Sequence, residues 1–194
     1  LGKITLSSSL YYQHSTNVID WVSFETGDFV EINGFDVPVI QRGPVNLATN
    51  DRYGFEFNLN YRPSRKWRIN TDFNLFKSII EGDFNGTNFD SDNLRWTIRL
   101  NNKYTLPGKI DWQTNMRYRG PSEDAQNIRK GSFSASMALS KDLFKDKASI
   151  AFNIGDILDS AKFRGDIETE TFFSTREIQY RGGRSFNLSF TYRF

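Results

Sequence analysis

The C-terminal stretch RSFNLSFTYRF (184–194) alternates strictly between polar and apolar side chains up to its last residue. Successive side chains of a β-strand point to opposite faces, so this period of two predicts a strand with one apolar face. The apolar set ends in Tyr192 and Phe194, although terminal residues are usually poorly ordered because little is buried there. We therefore expect an apolar environment to receive the end of the chain.

The same alternation recurs in four upstream segments, at 53–61, 67–75, 94–104 and 110–118. Together with three weaker segments, they predict an all-β fold, an antiparallel up-and-down meander of about eight long strands without helices. The predicted strands are 2–20, 50–62, 66–80, 92–106, 109–119, 131–141, 147–157 and 175–194. Several are much longer than the usual strand of about 5–6 residues.

The composition excludes several classes of function. The chain of 194 residues has no Cys, so thiol chemistry, disulfides and thiolate metal sites are absent, and a net charge of +2 does not favour nucleic-acid binding. The mean hydropathy is −0.56. No apolar run approaches the roughly 18 residues of a membrane-spanning helix. The alternating strands of a membrane β-barrel, however, also average to a mildly polar hydropathy.

The predicted connections differ in length at the two ends of the sheet. One end has only tight turns, at 62–66, 106–109 and 141–147. The other end has only long connections rich in Gly, Asn and Asp, at 21–49, 81–91, 120–130 and 158–174. Bacterial outer-membrane barrels have short periplasmic turns and longer extracellular loops. This asymmetry predicts part of a transmembrane β-barrel in a bacterial outer membrane, with a periplasmic C-terminus.

Aromatic residues near the strand ends fit the two aromatic girdles of such a barrel. Eight residues at about 3.3 Å each, tilted by about 40°, rise roughly 20 Å, close to the ~25 Å apolar band between girdles. The girdle candidates are Tyr53, Tyr61, Trp67, Trp96, Tyr104, Trp112, Tyr118, Tyr192 and Phe194. In this interpretation the lipid bilayer surrounds the end of the chain.

The opposite face of the same strands is polar and is predicted to face the barrel lumen. Its charged members are Arg68, Asp72, Arg95, Arg99, Lys103, Asp111, Arg117 and Arg193. Such a wall can pair with a plug or steer a charged solute. Two alternatives stay open. One is a soluble lipocalin-like binder, with its apolar face turned inward. The other is a self-contained eight-stranded barrel that acts as an adhesin or structural anchor.

Three motifs, FNLSFTYRF (186–194), GDILDS (155–160) and YGFEFNLNYRPSRKWRINTDFNL (53–75), together carry a family resemblance. They resemble the C-terminal barrel region of TonB-dependent outer-membrane receptors, most closely the Bacteroidetes outer-membrane β-barrel family. The resemblance covers essentially the whole chain. It implies a plugged barrel of about 22 strands that imports a scarce ligand. The energy would come from a periplasmic protein.

On this resemblance, residues 1–194 form a single piece, the C-terminal segment of the barrel, without the plug and the earlier strands. A start at Leu1, with neither Met nor signal peptide, agrees with a mature or excised segment. The expected partners are the remaining strands, the plug, the energising protein and the barrel-assembly machinery. In the family, that machinery reads a terminal signal matching Phe190, Tyr192 and Phe194.

No catalytic or metal site is predicted, and neither an enzyme nor a cofactor is expected. His14 is the only histidine and is expected to be an interfacial side chain; the serines at 132, 134, 136, 185 and 189 have no histidine to activate them. The loop 81–93 carries oxygen ligands suited to Ca²⁺, but their spacing departs from the EF-hand loop. Aromatics of the long connections are expected to contact a ligand, a neighbouring protein or each other: Phe24, Phe29, Phe35, Phe84, Phe89, Phe163, Phe172 and Phe173.

Overall fold

The computed structural model describes residues 3–123, 126–168, 172–179 and 183–194. The regular secondary structure within these residues consists of β-strands. No helix among them is long and apolar enough to cross a membrane. The strands are β1 (Lys3–Ile32), β2 (Phe35–Ser64), β3 (Trp67–Glu81), β4 (Asp83–Phe84), β5 (Thr87–Asn88), β6 (Ser91–Leu106), β7 (Ile110–Arg119), β8 (Ser122–Glu123), β9 (Asn127–Arg129), β10 (Ser132–Leu143), β11 (Ala148–Gly155), β12 (Lys162–Glu168), β13 (Phe173–Gln179) and β14 (Ser185–Tyr192).

Eight of these strands form one antiparallel sheet in the order β1-β2-β3-β6-β7-β10-β11-β14. Sheet neighbours follow one another along the chain, apart from short strands in the long connections, so the predicted meander is confirmed. The tight turns β2–β3, β6–β7 and β10–β11 lie at one end, which we call the short-turn end. At the β6–β7 turn, Gly108 has a φ of 80°, the left-handed value that the third residue of a type II turn requires.

The prediction of a long loop at 21–49 is wrong. β1 and β2 continue through this segment and pair with each other up to Ile32 and Phe35, with one shift in register between Glu25 and Phe29. Asn33 and Gly34 close the hairpin with φ values of 54° and 83°, as a two-residue turn with both residues left-handed requires. The pairing of β2 with β3 ends at Thr49 and Glu81. The outer half of the β1–β2 hairpin therefore extends beyond the large sheet.

The prediction of one continuous strand over 175–194 is also wrong. Phe173–Gln179 forms β13, which pairs with β12, whereas Ser185–Tyr192 forms β14, which pairs with β11. Residues 180–182 of the predicted strand, and residue 2 of the predicted first strand, lie outside the described residues. The predicted strands 2–20 and 50–62 are too short at the ends that form the outer hairpin, and the remaining five differ from the observed strands by only a few residues at their ends.

The remaining long connections form small sheets of their own. β8, β9, β12 and β13 make a four-stranded sheet in the order β13-β12-β9-β8, and β4 pairs with β5 across an Asn85-Gly86 turn. A buried apolar cluster lies at this end of the molecule. It consists of Val22, Val45, Ile80 and Phe89, with Phe24 and Phe84 packed against it.

The GDILDS motif links the β11–β12 connection to the large sheet by hydrogen bonds. The buried carboxylate of Asp156 accepts hydrogen bonds from the backbone N–H of Ser160 (3.0 Å) and of Ala161 (2.9 Å). The Ser160 hydroxyl donates to the carbonyl of Phe133 at 2.9 Å. The motif therefore sets where the chain leaves β11 and enters the four-stranded sheet.

Candidate membrane and lumen surfaces

The apolar side chains of all eight long strands share one face of the large sheet. Cross-strand pairing places Phe57, Phe73, Ile98, Tyr118 and Phe133 side by side in one row. Many members of this face are exposed, including Leu10 at 83%, Leu188 at 68% and Ile98 at 36%. A water-soluble binder would cover such a face with its own core. An exposed apolar face of this extent is what a surrounding hydrocarbon phase requires.

The nine predicted girdle residues occupy this same apolar face. Near the short-turn end, Trp67 packs edge-on against Tyr104 with ring centroids 6.1 Å apart, and Trp112 lies opposite Tyr104 on β7. Further along the strands, Trp96 and Tyr118 approach to 5.0 Å. Tyr12 and Tyr53 pack at the same separation, 5.0 Å. The end of the chain follows the pattern, since Tyr192 contacts Phe194 at 5.2 Å.

A band of charged side chains lies on this face beyond the Tyr12, Tyr53 and Trp96 rings. Asp51 accepts a hydrogen bond from the Tyr12 hydroxyl and pairs with Nδ1 of His14, both at 2.7 Å. Lys77 forms an ion pair with Asp92 at 2.8 Å. The position of His14 in the sequence predicts an interfacial side chain but not its partners, because only the register places Asp51 opposite it.

The eight predicted lumen residues share the opposite, polar face. The ladder of β3, β6 and β7 places Asp72 beside Arg99 and Arg99 beside Arg117. Lys103 forms an ion pair with Asp111 at 2.7 Å, and the same carboxylate accepts a hydrogen bond from Thr105. Arg193 continues the polar alternation of β14, and its backbone N–H donates to the carbonyl of Lys147.

Asparagine side chains form a hydrogen-bonded row across this polar face. Asn60, Asn70, Asn101 and Asn115 are successive cross-strand partners. Within the row, Asn70 donates to Asn60 and Asn115 donates to Asn101. Asn74 similarly donates to Glu56 at 2.6 Å. Clefts open on this face, one of about 450 Å³ between β1, β2, β3 and β6. This face can bind polar or charged groups through amides and guanidinium groups.

The outer part of the β1–β2 hairpin is fixed by a residue from another connection. The Gln126 side chain accepts a hydrogen bond from the Ser23 backbone N–H (2.9 Å) and donates one to the Ser23 carbonyl (2.8 Å). The amide thus satisfies both backbone groups of one residue, as a neighbouring strand would. No sequence signal marked this contact, since the two residues are far apart in the chain.

Ion pairs also hold the β12–β13 hairpin together. Glu177 accepts a hydrogen bond from Arg164 at 2.7 Å and forms an ion pair with Lys162 at 3.2 Å. These two partners, Arg164 first, hold the pKa of Glu177 below its usual value.

The loop aromatics have three kinds of surroundings. Phe89 is buried, and Phe24 packs edge-on against Phe84 with ring centroids 5.5 Å apart, so these three belong to one core and contact each other rather than a ligand. Phe29, Phe35 and Phe173 are exposed. Phe163 lies under the guanidinium of Arg129 at 5.3 Å.

Two acidic side chains of the oxygen-rich loop 81–93 have partners within the protein. Asp90 accepts hydrogen bonds from the Gly82 backbone and from Asn88, and these bonds lower the pKa of its carboxyl. Asp92 is paired with Lys77. Across the described ranges, no group of three or more acidic or histidine side chains is placed to hold a metal ion.

Comparison with known proteins places this architecture in a family. Neither the curated proteins nor the solved structures that were compared include a match to the chain. A sequence model of the Outer membrane protein beta-barrel family matches residues 2–192. This match covers nearly every residue and agrees with the exposed apolar face and the antiparallel meander. The chain therefore belongs to the Outer membrane protein beta-barrel family and forms barrel wall in the outer membrane of a bacterium.

Proposed function

We propose that the chain is a segment of the wall of a larger barrel, that of a TonB-dependent receptor which imports a scarce ligand. The observation that carries this proposal is the open sheet. Within the described residues, β1 pairs only with β2 and β14 pairs only with β11, and no ladder joins β1 to β14. Every described side chain of β14 is exposed, as are those from Lys3 to Leu10.

The energetics of lipid favour further strands at both edges. Every second residue of an edge strand directs its backbone N–H and C=O away from the sheet, and each such group left unsatisfied in hydrocarbon costs several kcal/mol. A barrel has no edge, so its wall must either close on itself or continue into other strands. In our proposal the missing strands cover β1 and β14, and a plug domain fills the lumen.

The remaining parts of the proposal follow from this role. The short-turn end, with the C-terminus, faces the periplasm, and the extended β1–β2 hairpin stands on the cell surface. A periplasmic protein energises import through the part of the receptor that precedes this segment. Phe190, Tyr192 and Phe194 form the terminal signal for the barrel-assembly machinery. All three are exposed on the outermost strand of the sheet. The receptor belongs to the Bacteroidetes type.

Cysteine trapping tests whether the segment closes on itself, and the Cys-free chain is well suited to it. Cells produce the full protein with Ser7→Cys combined in turn with Asn187→Cys, Ser189→Cys and Thr191→Cys. All of these positions lie on the polar face. We expect no intramolecular disulfide from any combination, because β1 and β14 are separated by other strands.

The combination of Ser7→Cys with Asn58→Cys is the matched control, since these residues are direct cross-strand partners. It should give a disulfide under the same oxidation. A disulfide between β1 and β14 as efficient as this control would contradict the proposal and favour the eight-stranded adhesin or anchor.

Import is tested separately in intact cells. Uptake of a panel of scarce solutes is compared between cells with and without the protein, and with and without an uncoupler of the proton gradient. We expect uptake of at least one solute to need both the protein and the gradient. Gradient-independent uptake through the protein would instead indicate a passive pore.

A further inference from the structure

Six basic side chains converge at the short-turn end of the polar face. They come from the start of β1, the β2–β3 turn with its flanking residues, and the end of β6, and they line one cleft of about 680 Å³. The six are Lys3, Arg62, Arg65, Lys66, Arg68 and Lys103. We call this set the basal basic cluster. Among the described residues, no Asp or Glu lines the cleft.

The sheet register sets these cations directly opposite each other. Lys3 is the cross-strand partner of Arg62, and Arg68 is the partner of Lys103. Like charges at directly opposed positions destabilise a sheet. Two such pairs, side by side at one end of the sheet, indicate a function that needs concentrated positive charge.

Little within the described part of the chain neutralises this charge. Lys103 has a carboxylate partner, Asp111 at 2.7 Å. The described contacts include no ion pair for the other five members of the cluster.

The local backbone holds the cluster in position. The Lys66 carbonyl accepts a hydrogen bond from the Thr105 backbone N–H at 2.8 Å, which ties the β2–β3 turn to the end of β6. The Ser64 hydroxyl accepts one from the Lys66 backbone N–H at 3.2 Å. Trp67 is fixed beside the cleft by a hydrogen bond from its ring N–H to Asn102, 2.7 Å long. The basic residues therefore lie on hydrogen-bonded strands and on a turn held by backbone hydrogen bonds.

We propose that the basal basic cluster is a binding site for a phosphate-bearing anion. The guanidinium groups of Arg62, Arg65 and Arg68 offer planar pairs of donors, which match the oxygens of a phosphate group better than point charges do. An anion between Lys3–Arg62 and Arg68–Lys103 removes the repulsion within both pairs. The phosphate belongs either to a lipid headgroup that reaches the turn residues Arg65 and Lys66 at the rim of the barrel, or to a soluble phosphorylated molecule on the lumen side.

The test measures binding of inorganic triphosphate to the full protein in detergent micelles by titration calorimetry. We expect saturable binding that weakens about tenfold in the double variant Arg62→Gln/Arg68→Gln, since each substitution removes charge-assisted hydrogen bonds. Binding should also weaken as salt is raised. Thermal unfolding is a second readout: triphosphate should raise the melting temperature of the unmodified protein and not that of this variant.

The matched control is Arg99→Gln/Arg117→Gln, which removes an opposed cation pair from the same face but outside the cleft. It should bind triphosphate as the unmodified protein does. Equal loss in both double variants would overturn the proposal in favour of a diffuse lumen charge. Absence of saturable binding, or equally tight binding of a poly-aspartate peptide, would overturn it too.

A second arm distinguishes the two sources of phosphate. The protein is placed in nanodiscs of phosphatidylcholine, with or without phosphatidylglycerol, and titrated again with triphosphate. Competition by phosphatidylglycerol, kept in Arg99→Gln/Arg117→Gln, would assign the site to a lipid headgroup. Unchanged triphosphate binding would assign it to a soluble phosphorylated molecule.

Discussion

An arginine placed at different depths along β6 should measure the position of the bilayer on the apolar face. Trp96 and Tyr104 mark the two aromatic rows on this strand, eight residues apart. At about 3.3 Å per residue and a tilt of about 40°, they are separated by roughly 20 Å. Leu100 lies midway, and Ile98 lies about 5 Å from the Trp96 row on the same scale.

The loss of stability expected from an arginine depends on its depth in the bilayer. Leu100→Arg should reduce the free energy of unfolding by about 2–4 kcal/mol, the value for a cation at the bilayer midplane. Leu94→Arg, beyond the Trp96 ring and 57% exposed, should cost only about 0–1 kcal/mol. Ile98→Arg should fall between these two values, because it lies between the girdle and the midplane.

Urea unfolding of the full protein in lipid vesicles, followed by tryptophan fluorescence, measures these differences. Thr97→Arg is the matched control, since residue 97 lies next to Ile98 on the same strand but on the polar face, opposite Asn74. Thr97→Arg should reduce the free energy of unfolding by less than about 1 kcal/mol, the repulsion from its cross-strand partner Arg119 on β7. Equal costs at residues 94, 98 and 100, or a Thr97→Arg variant as unstable as Leu100→Arg, would refute the assignment of the apolar face to lipid.

Three further predictions concern the long-connection end. Gln126→Ala should lower the opening free energy of the outer β1–β2 hairpin by about 1–3 kcal/mol, because two hydrogen bonds to Ser23 are lost; hydrogen exchange at Ser23 measures this. Asp156→Ala should destabilise its connection by about 1–3 kcal/mol, as two partly buried N–H groups lose their acceptor; limited proteolysis reports it. Because the pKa of Glu177 is lowered, its ion pairs stabilise the β12–β13 hairpin fully at pH values above the usual pKa of 4.5. This stabilisation is lost as the pH falls through the lowered pKa. Hydrogen exchange across this pH range should show the loss, and Glu177→Gln should abolish it.

Each of these predictions has a control within the chain. Gln13→Ala removes an exposed amide whose hydrogen bond, to Ser15, spans 3.5 Å, and should leave the hairpin unchanged. Asp142→Ala removes an exposed carboxylate at the opposite end of the sheet. Glu168→Gln changes the other end of the β12–β13 hairpin and should keep the pH dependence. If a variant gave the same result as its control, the contact assigned to the substituted residue would be contradicted.

The sequence by itself was sufficient to determine the faces of the strands. Alternation along RSFNLSFTYRF and the upstream segments separated the apolar set from the polar set, because successive side chains of any strand point in opposite directions. The short turns likewise determined that neighbours in sequence are neighbours in the sheet. The faces of the strands and the order of neighbouring strands both depend on local geometry, and the observed sheet agrees with the two predictions.

The two wrong strand predictions had different causes. The outer β1–β2 hairpin was missed although Asn33-Gly34 is a strong hairpin signal, and Asn85-Gly86 marks the β4–β5 turn in the same way. That error was avoidable. The division of 175–194 was avoidable only in part. The Gly182-Gly183 dipeptide is a turn signal in the sequence, but only the available partners, β12 and β11, decide which sheet each strand joins.

Only the tertiary structure decided which residues meet across strands. Alternation says on which face Lys3, Arg62, Arg68 and Lys103 lie, but not that they form two opposed pairs in one cleft. The same holds for His14 with Asp51, which lie far apart in the chain. Register is set by the hydrogen bonds of the whole ladder together with the turns that close it, and a slip of two residues keeps every face while changing every partner. For that reason the sequence predicts the surfaces of this protein, and the structure alone predicts its sites.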